Sequence, residues 1–452
     1  MKASQFNILT EDPESGKAVL FNSLYGGITV LEKAECRVVK RLLKNPETST
    51  EDILAEIVMF QLRDGKYIIE DDVDEMAIVR NRKILGMKDK NRLDVVIIPN
   101  MTCNFACPYC FESHIPRSFM NHATEEAIKR FLKNEIPKYK VLMLNWFGGE
   151  PLMSYRRIIS IGKYAKDICD RLGVGFLTNI TTNGYLFNEK RIKELVSIGI
   201  TNYQITVDGP PEIHNKTRVL KNGKESFQRI YENILMLARF DERVKISLRV
   251  NFNHNNIHSI PELLKLFPED IRPSLRVVYE PIFGTSCLSA AENITSQEIS
   301  STMTRYYRLA KEMGFDVILG SIGTGKLVYC FAERENQCVI NYNGDLFKCS
   351  VCSFRKEERV GYLDPMGKVV VNKKKWNKWF DVKEFEEKCY ECKFLPLCMG
   401  GCRKARIEKS STGSTCSLLP ANTSYVLKSV ALDKFESLLR REYVKNEKVL
   451  EA

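Results

Sequence analysis

Three thiols stand close together in the stretch Ile98 to Glu112, IPNMTCNFACPYCFE: Cys103, Cys107 and Cys110. Zinc sites pair CxxC knuckles and close with four ligands, and ferredoxin runs space their cysteines as C-x2-C-x2-C. Cys-x3-Cys-x2-Cys matches neither. A four-iron cluster held by three thiolates leaves one iron without a protein ligand, and that iron is open to bind and activate a small molecule.

A second concentration of cysteines fills the tail: Cys330, Cys338, Cys349, Cys352, Cys389, Cys392, Cys398, Cys402 and Cys416. Fifteen cysteines, an odd number, beside five histidines argue against a disulfide framework and against mixed Cys/His zinc sites. Sulfur-only ligation is favoured. Cys36, Cys169 and Cys287 are scattered and read as small buried apolar residues. The N-terminus lacks the apolar core of a secretory signal and no segment approaches roughly 18 uninterrupted apolar residues, so a cytoplasmic address without membrane contact is expected. The net charge of +11 speaks to association rather than fold. From Glu51 to Glu75, however, nine acidic residues face only Arg63 and Lys66, which disfavours nucleic acid as a partner of this part.

The 452 residues suffice for two or three domains. From about Leu93 the chain alternates strand and helix: LDVVIIP, VLMLNWF, GFLTNITT, NYQITV, KISLRVN and LRVVYEP, separated by amphipathic stretches. The fold class expected is α/β, a partial (β/α)6 TIM-like barrel over 90–315. The three-cysteine loop follows its first strand, where parallel α/β architectures place reactive groups. Residues 1–85 read as a winged-helix-like module, with strands at 18–21 and 28–31, helices at 32–43 and 49–62, and DGKYIIEDD as a wing hairpin. The span 316–425 has few apolar runs and is expected to fold as a separate domain partly on the free energy of metal binding; 426–452 reads as a C-terminal helix.

With Tyr109 just before its third cysteine, the loop resembles that of the radical S-adenosyl-L-methionine (SAM) superfamily. There the open iron chelates the amine and carboxylate of SAM, and an electron cleaves the sulfonium to a 5′-deoxyadenosyl radical. Gly148, Gly149 and Glu150, in WFGGEPL, resemble the family's GGE motif, whose glycines permit close backbone approach and whose carboxylate or backbone engages the methionine ammonium. TVDGPPEIHNKTR resembles the stretch after strand four: Thr206 stands where a Ser or Thr contacts SAM, and the fork of Arg218 suits its carboxylate. His214 reads as a packed histidine. TTNG and RVN, with Asn183 and Val250, fall where the family lines its ribose and adenine pocket.

The tail resembles the SPASM domain, which carries two auxiliary 4Fe-4S clusters. The resemblance implies Cys330, Cys338, Cys349 and Cys402 for the first and Cys389, Cys392, Cys398 and Cys416 for the second, three clusters in all with the SAM site. Cys352 lies close enough to compete with Cys330. In KKKWNKWF, Lys373 to Phe380, the aromatic residues are expected to pack while the lysines stay solvated.

SPASM enzymes act on sulfatase side chains or on ribosomally made peptides. In sulfatase maturases an Asp, the presumed proton acceptor, follows the Gly-x4-Cys cysteine; here that position is Ser350. The N-terminal module resembles a leader-recognition element, to which a leader peptide adds as a strand of a three-stranded sheet. The resemblance therefore implies a cytoplasmic SAM-dependent maturase that abstracts hydrogen from a precursor peptide and installs a thioether or carbon-carbon crosslink. A flavodoxin- or ferredoxin-type electron donor would serve it. The alternatives are a sulfatase-type maturase oxidising one Cys or Ser, and a zinc-stabilised nucleic-acid-binding protein.

Overall fold

The computed structural model describes residues 1–11, 17–47, 53–110, 112, 118–282, 296–317, 325, 327–381 and 384–408. It divides into two compact units, one of Lys88–Ile318 with Cys330–Val382, the other of Met1–Met87 with Leu319–Tyr329 and Lys383–Ala452.

Six parallel strands frame the first unit: β1 (Arg92–Ile97), β2 (Val141–Trp146), β3 (Gly175–Thr182), β4 (Asn202–Thr206), β5 (Lys245–Phe252) and β6 (Leu275–Pro281). They pair in sequence order, as short right-handed crossovers require. Helices α1 (His122–Glu135), α2 (Tyr155–Leu172), α3 (Glu189–Ser197), α4 (Phe227–Phe240) and α5 (Ser296–Glu312) belong to the crossovers. Asn121 caps α1 by accepting the Thr124 N–H at 2.8 Å, and Asn188 caps α3 by accepting that of Arg191 at 2.9 Å. Each strand shows one face to the helices. On β5, Ile246, Leu248, Val250 and Phe252 are buried in the main core, while Ser247, Arg249 and Asn251 point the other way and stay half-buried. The core is completed by stripes such as Ile158, Ile161, Ala165 and Ile168 of α2.

The sheet does not end at β1. β7 (Gln337–Ile340) pairs parallel with it, Cys338 opposite Val95, and β8 (Asp345–Phe347), β9 (Gly361–Leu363) and β10 (Val369–Val371) follow as an antiparallel meander. Part of the span expected to stand apart is thus continuous with the main sheet, while Lys383 onward belongs to the other unit. The boundary expected at 425 lies outside the described residues.

The second unit has a three-stranded antiparallel sheet, Asn7–Glu11, Ala18–Asn22 and Ile28–Leu31, with helices Lys33–Lys44, Ile53–Asp64 and Glu75–Met87. The expected wing hairpin is not formed. Ile68–Ile69 instead pairs antiparallel with Lys2–Ala3, and the N-terminal ammonium binds Asp71 at 2.7 Å, so the chain start takes the place of the hairpin's second strand. Helix Glu75–Met87 escaped the apolar pattern because its buried positions include Glu75, Lys83 and Gly86. Among the described residues no helix is long and apolar enough to cross a membrane. The expected C-terminal helix at 426–452 lies outside the described residues.

Candidate active site

The cysteine loop is held from both sides. Asn100, fully buried just past β1, donates to the Glu150 carbonyl at 3.0 Å and to Ser154 Oγ at 2.9 Å, and its own Oδ1 accepts the Thr102 N–H at 3.0 Å. Opposite it run the glycines after β2. A Cβ on Gly148 (φ +127°) would stand 2.4 Å from the Asn100 carbonyl oxygen, and one on Gly149 2.6 Å from that of Thr102. The absent side chains let the Gly149 N–H reach Asn100 O at 3.3 Å and the Glu150 N–H reach Thr102 O at 2.9 Å. On the far side Ala106 N donates to Val219 O at 2.8 Å and Lys221 N to Asn104 O at 2.9 Å. The close approach made by the GGE glycines is therefore to the cysteine loop itself.

Glu150 is fully buried, and its carboxylate accepts from the Leu152 N–H at 2.9 Å, Thr182 Oγ at 2.7 Å and the Asn183 N–H at 2.7 Å. Burial pushes its pKa up, and these hydrogen bonds pull against that. It fastens the exit of β2 to that of β3. Asn183, so placed, donates to Asn104 Oδ1 at 2.8 Å, with its Nδ2 3.9 Å from Cys103 Sγ. Cys103, Cys107 and Cys110 are all partly exposed. Burial, then the Glu150 carboxylate, pushes the Cys103 thiol up to about 12, and burial raises Cys107 against the pull of Arg218. Thiols in such a setting ionise when a metal takes the proton's place.

A polar hub joins the loop to the exits of β4 and β5. The Tyr109 hydroxyl donates to Asp208 and accepts from Arg218 Nη1 at 2.9 Å and Asn251 Nδ2 at 3.3 Å. Asp208, fully buried, also accepts Thr217 Oγ at 3.2 Å and the Asn251 N–H at 3.2 Å. Arg218 is 8% exposed and lies over the Phe105 ring at 5.4 Å; burial lowers its pKa, but Tyr109, Cys107 and Asp208 outweigh that and raise it. His214, completely buried, accepts the Asp208 N–H on Nδ1 at 3.4 Å and meets Ser226 Oγ through Nε2 at 3.1 Å, while that hydroxyl donates to Arg218 O at 2.6 Å. It is a packed histidine. Thr206 ends β4 opposite Arg249, 8% exposed. The Val250 side chain is wholly in the apolar core; its neighbour Asn251 is the one that reaches Tyr109. Asn100 and Asn104 are neighbours of the site that no motif singles out, whereas Asp208 and Asn251 belong to the TVDGPPEIHNKTR and RVN stretches. Their common signal is an Asn or Asp at or just beyond a strand's C-terminal end.

A 4Fe-4S cluster with SAM fits what the loop leaves unspent. Asn104 Nδ2, Arg218 Nε and Glu112 Oε1 are buried without a hydrogen-bond partner. A guanidinium donor suits a carboxylate, and a carboxyl acceptor suits an ammonium. Among the described residues no three His, Cys, Asp or Glu side chains converge on a single metal ion; in a four-iron cluster each thiolate binds a different iron, so such convergence is not required.

In the same unit lie Cys330, Cys338, Cys349 and Cys352, of which Cys338 and Cys352 are buried. Lys348 is 1% exposed, and its ammonium donates to the carbonyls of Arg334 and, at 3.3 Å, Gln337. The rings of Trp376 and Phe380 face it at 4.7 and 5.2 Å. Burial pulls its pKa down to about 7, against Cys338 and then Cys330. In KKKWNKWF, Trp376 and Trp379 pack on the core, Lys373, Lys374 and Lys378 are exposed, and Lys375 is half-buried. The other unit holds Cys389, Cys392, Cys398 and Cys402, all partly exposed, on turns where Cys392 N–H meets Cys389 O at 3.1 Å and Gly401 N–H meets Cys398 O at 3.3 Å. Of the cysteines that the resemblance gives to the first auxiliary cluster, Cys402 thus falls in a different unit from Cys330, Cys338 and Cys349. Cys416 and Cys287 lie outside the described residues; Cys36 and Cys169 are buried.

Residues 97–267 match the family model described as Radical SAM superfamily. The chain is 22% identical over 338 residues to the PqqA peptide cyclase of Bradyrhizobium diazoefficiens, covering 70% of this chain and 84% of that one. To a cysteine-type anaerobic sulfatase-maturating enzyme of Clostridium novyi it is 25% identical over 345 residues, 69% of this chain and 88% of that one. The fold is similar to that of Streptococcus suis SuiB bound to precursor peptide SuiA, with a TM-score of 0.52, 15% identity and coverage of 92% of this chain and 99% of that one. The superfamily implies a 4Fe-4S cluster and SAM as cofactors. Residues 97–267 are a radical SAM domain, as in the enzymes to which the chain is similar.

Proposed function

We propose that this enzyme matures a ribosomally made precursor peptide by installing an intramolecular crosslink, a thioether or a carbon-carbon bond. The observation that carries the reading is the open edge of the N-terminal sheet. Ile28–Leu31 pairs with Ala18–Asn22 on one side, Ile28, Thr29 and Val30 are half-buried, and among the described residues no strand pairs with its other edge, where a leader peptide would add as a strand. The likeness in fold to SuiB bound to precursor peptide SuiA extends over 92% of this chain. Ser350 after Cys349 deprives the sulfatase reading of its proton acceptor.

When bound, the cluster and SAM supply a 5′-deoxyadenosyl radical that takes one hydrogen atom from the peptide, and closing the crosslink releases one proton and one electron. Cys103, Cys107 and Cys110 hold that cluster in this reading. Arg218 takes the SAM carboxylate, Tyr109 fixes Arg218, and Gly148, Gly149 and Glu150 hold the loop's shape. Thr206, Asn183 and Asn251, with the backbone of Val250 at the β5 exit, line the nucleoside. The tail cysteines form a SPASM domain with two auxiliary clusters, a flavodoxin- or ferredoxin-type protein supplies electrons, and the enzyme works in the cytoplasm, where its thiols stay reduced.

The test is co-expression with the product of a short neighbouring reading frame, followed by mass spectrometry. A crosslink removes a pair of hydrogens from the peptide. An unmodified peptide, combined with oxidation of a sulfatase Cys or Ser by the same enzyme, would transfer the assignment to the sulfatase-type reading, which the 25% identity favours.

A further inference from the structure

Why does this chain bury a lysine in a place where no carboxylate is its chief partner? Lys348 lies almost wholly inside the first unit, on the residue before Cys349, with its ammonium bonded to two backbone carbonyls and flanked by Trp376 and Phe380. One of those carbonyls belongs to Gln337, the residue before Cys338. The thiols of Cys338 and Cys330 act on it ahead of the carboxylates of Glu335 and Asp94. Asp94 is itself held by Arg92 and Arg334.

Neutral carbonyls and aromatic faces return only part of the hydration that an ammonium gives up on burial. A methionine would fill the same volume with no such cost. Neutral thiols do not compensate a cation either, but thiolates on a metal cluster do. An iron-sulfur cluster with thiolate ligands carries net negative charge in both of its common oxidation states, one electron more in the reduced one.

We propose that Lys348 is the built-in countercharge of an anionic cluster held by Cys330, Cys338 and Cys349, and that it raises that cluster's reduction potential. A fixed positive charge in a dry site favours the more negative, reduced state. The inference rests on the reading of the tail as a cluster-bearing domain.

The experiment uses full-length protein carrying Cys107→Ala, so that signals from the SAM-binding cluster do not interfere, and compares it with the same protein bearing Lys348→Met or Lys348→Arg. In potentiometric titrations followed by electron paramagnetic resonance, one signal of the Lys348→Met protein is expected at more negative potential, while Lys348→Arg stays near the parent. After iron is removed by chelation the order of thermal stability is expected to invert: Lys348→Met melts above the parent without the cluster and below it with the cluster. A loaded parent whose potential is unmoved by Lys348→Met overturns the countercharge alone. So does a Lys348→Met protein that melts below the parent once iron is gone. A parent without auxiliary iron overturns both the countercharge and the reading it rests on.

Discussion

The hydroxyl of Tyr109, one residue before Cys110, donates to the carboxylate of Asp208, which is fully buried beyond β4. Because that same oxygen accepts from Arg218 and Asn251, the third cysteine of the loop is referenced to the exits of two strands and to the site's guanidinium. A charge pair buried this deeply is costly unless its hydrogen bonds are met. Tyr109, Thr217 and the Asn251 N–H meet them for Asp208 and leave Arg218 Nε unspent.

Tyr109→Phe keeps the ring and deletes the oxygen at the centre of this hub. Arg218 then loses the bond that orients it, worth about 1.5 kcal/mol for a hydrogen bond to a charged group. SAM affinity is expected to fall roughly tenfold, measured by anaerobic equilibrium dialysis, with iron content unchanged. Unchanged affinity would mean that the hub does not orient the SAM site.

His214 makes stability depend on pH in a defined direction. Burial, then the charge of Arg218, holds its pKa well below the usual value of a histidine. The unfolded chain therefore takes up a proton near pH 6.5 that the folded protein refuses. Stability from this group is present above about pH 6.5 and is lost as the pH falls, by up to ~1.4 kcal/mol per pH unit, until the folded pKa is reached. His214→Gln, which retains an acceptor and a donor, is expected to flatten the melting temperature between about pH 5 and 6.5. A variant as acid-sensitive as the parent would exclude His214 as the source.

The parts of this molecule legible in the sequence are those set by local pattern. β3 at Gly175–Thr182, β6 at Leu275–Pro281 and α2 at Tyr155–Leu172 have the bounds that their residues suggest. The cysteine loop and GGE are likewise visible because spacing alone specifies them. What stayed hidden depends on partners far along the chain. Glu150 looks like a ligand contact, yet its carboxylate is taken by Thr182 and Asn183. The tail looks separate, yet Cys338 stands opposite Val95 in the main sheet. Lys83, a charged residue in no motif, is completely buried and donates to Met399 O at 2.5 Å. No periodicity in the neighbouring residues reports such a long-range partner.

Gly149→Ala tests whether the GGE glycines serve the loop. The new methyl would sit 2.6 Å from Thr102 O, and the obstacle is backbone rather than a side chain that can turn away. The loop must shift, at a cost of about 1–3 kcal/mol for strained backbone. The expected result is loss of the iron held by Cys103, Cys107 and Cys110, read from iron content and absorbance, while the far-ultraviolet circular dichroism stays that of the parent. Full iron content with SAM binding lost would instead place Gly149 against the ligand rather than the loop.

Cys107→Ala separates the radical site from the rest of the metal. Its thiol lies beside Arg218 and Asp208, and burial keeps it protonated until a metal displaces the proton. Without it two thiolates remain, too few to retain a four-iron cluster with one open corner. SAM cleavage is expected to vanish, followed as 5′-deoxyadenosine formed with dithionite as reductant. The tail cysteines are untouched, so with the two auxiliary clusters proposed for them roughly two-thirds of about twelve irons should remain after anaerobic reconstitution. Cleavage that survives the substitution would sink the assignment of Cys103, Cys107 and Cys110 as the radical-generating site. Bound zinc in place of the retained iron would leave that site standing and remove the auxiliary clusters.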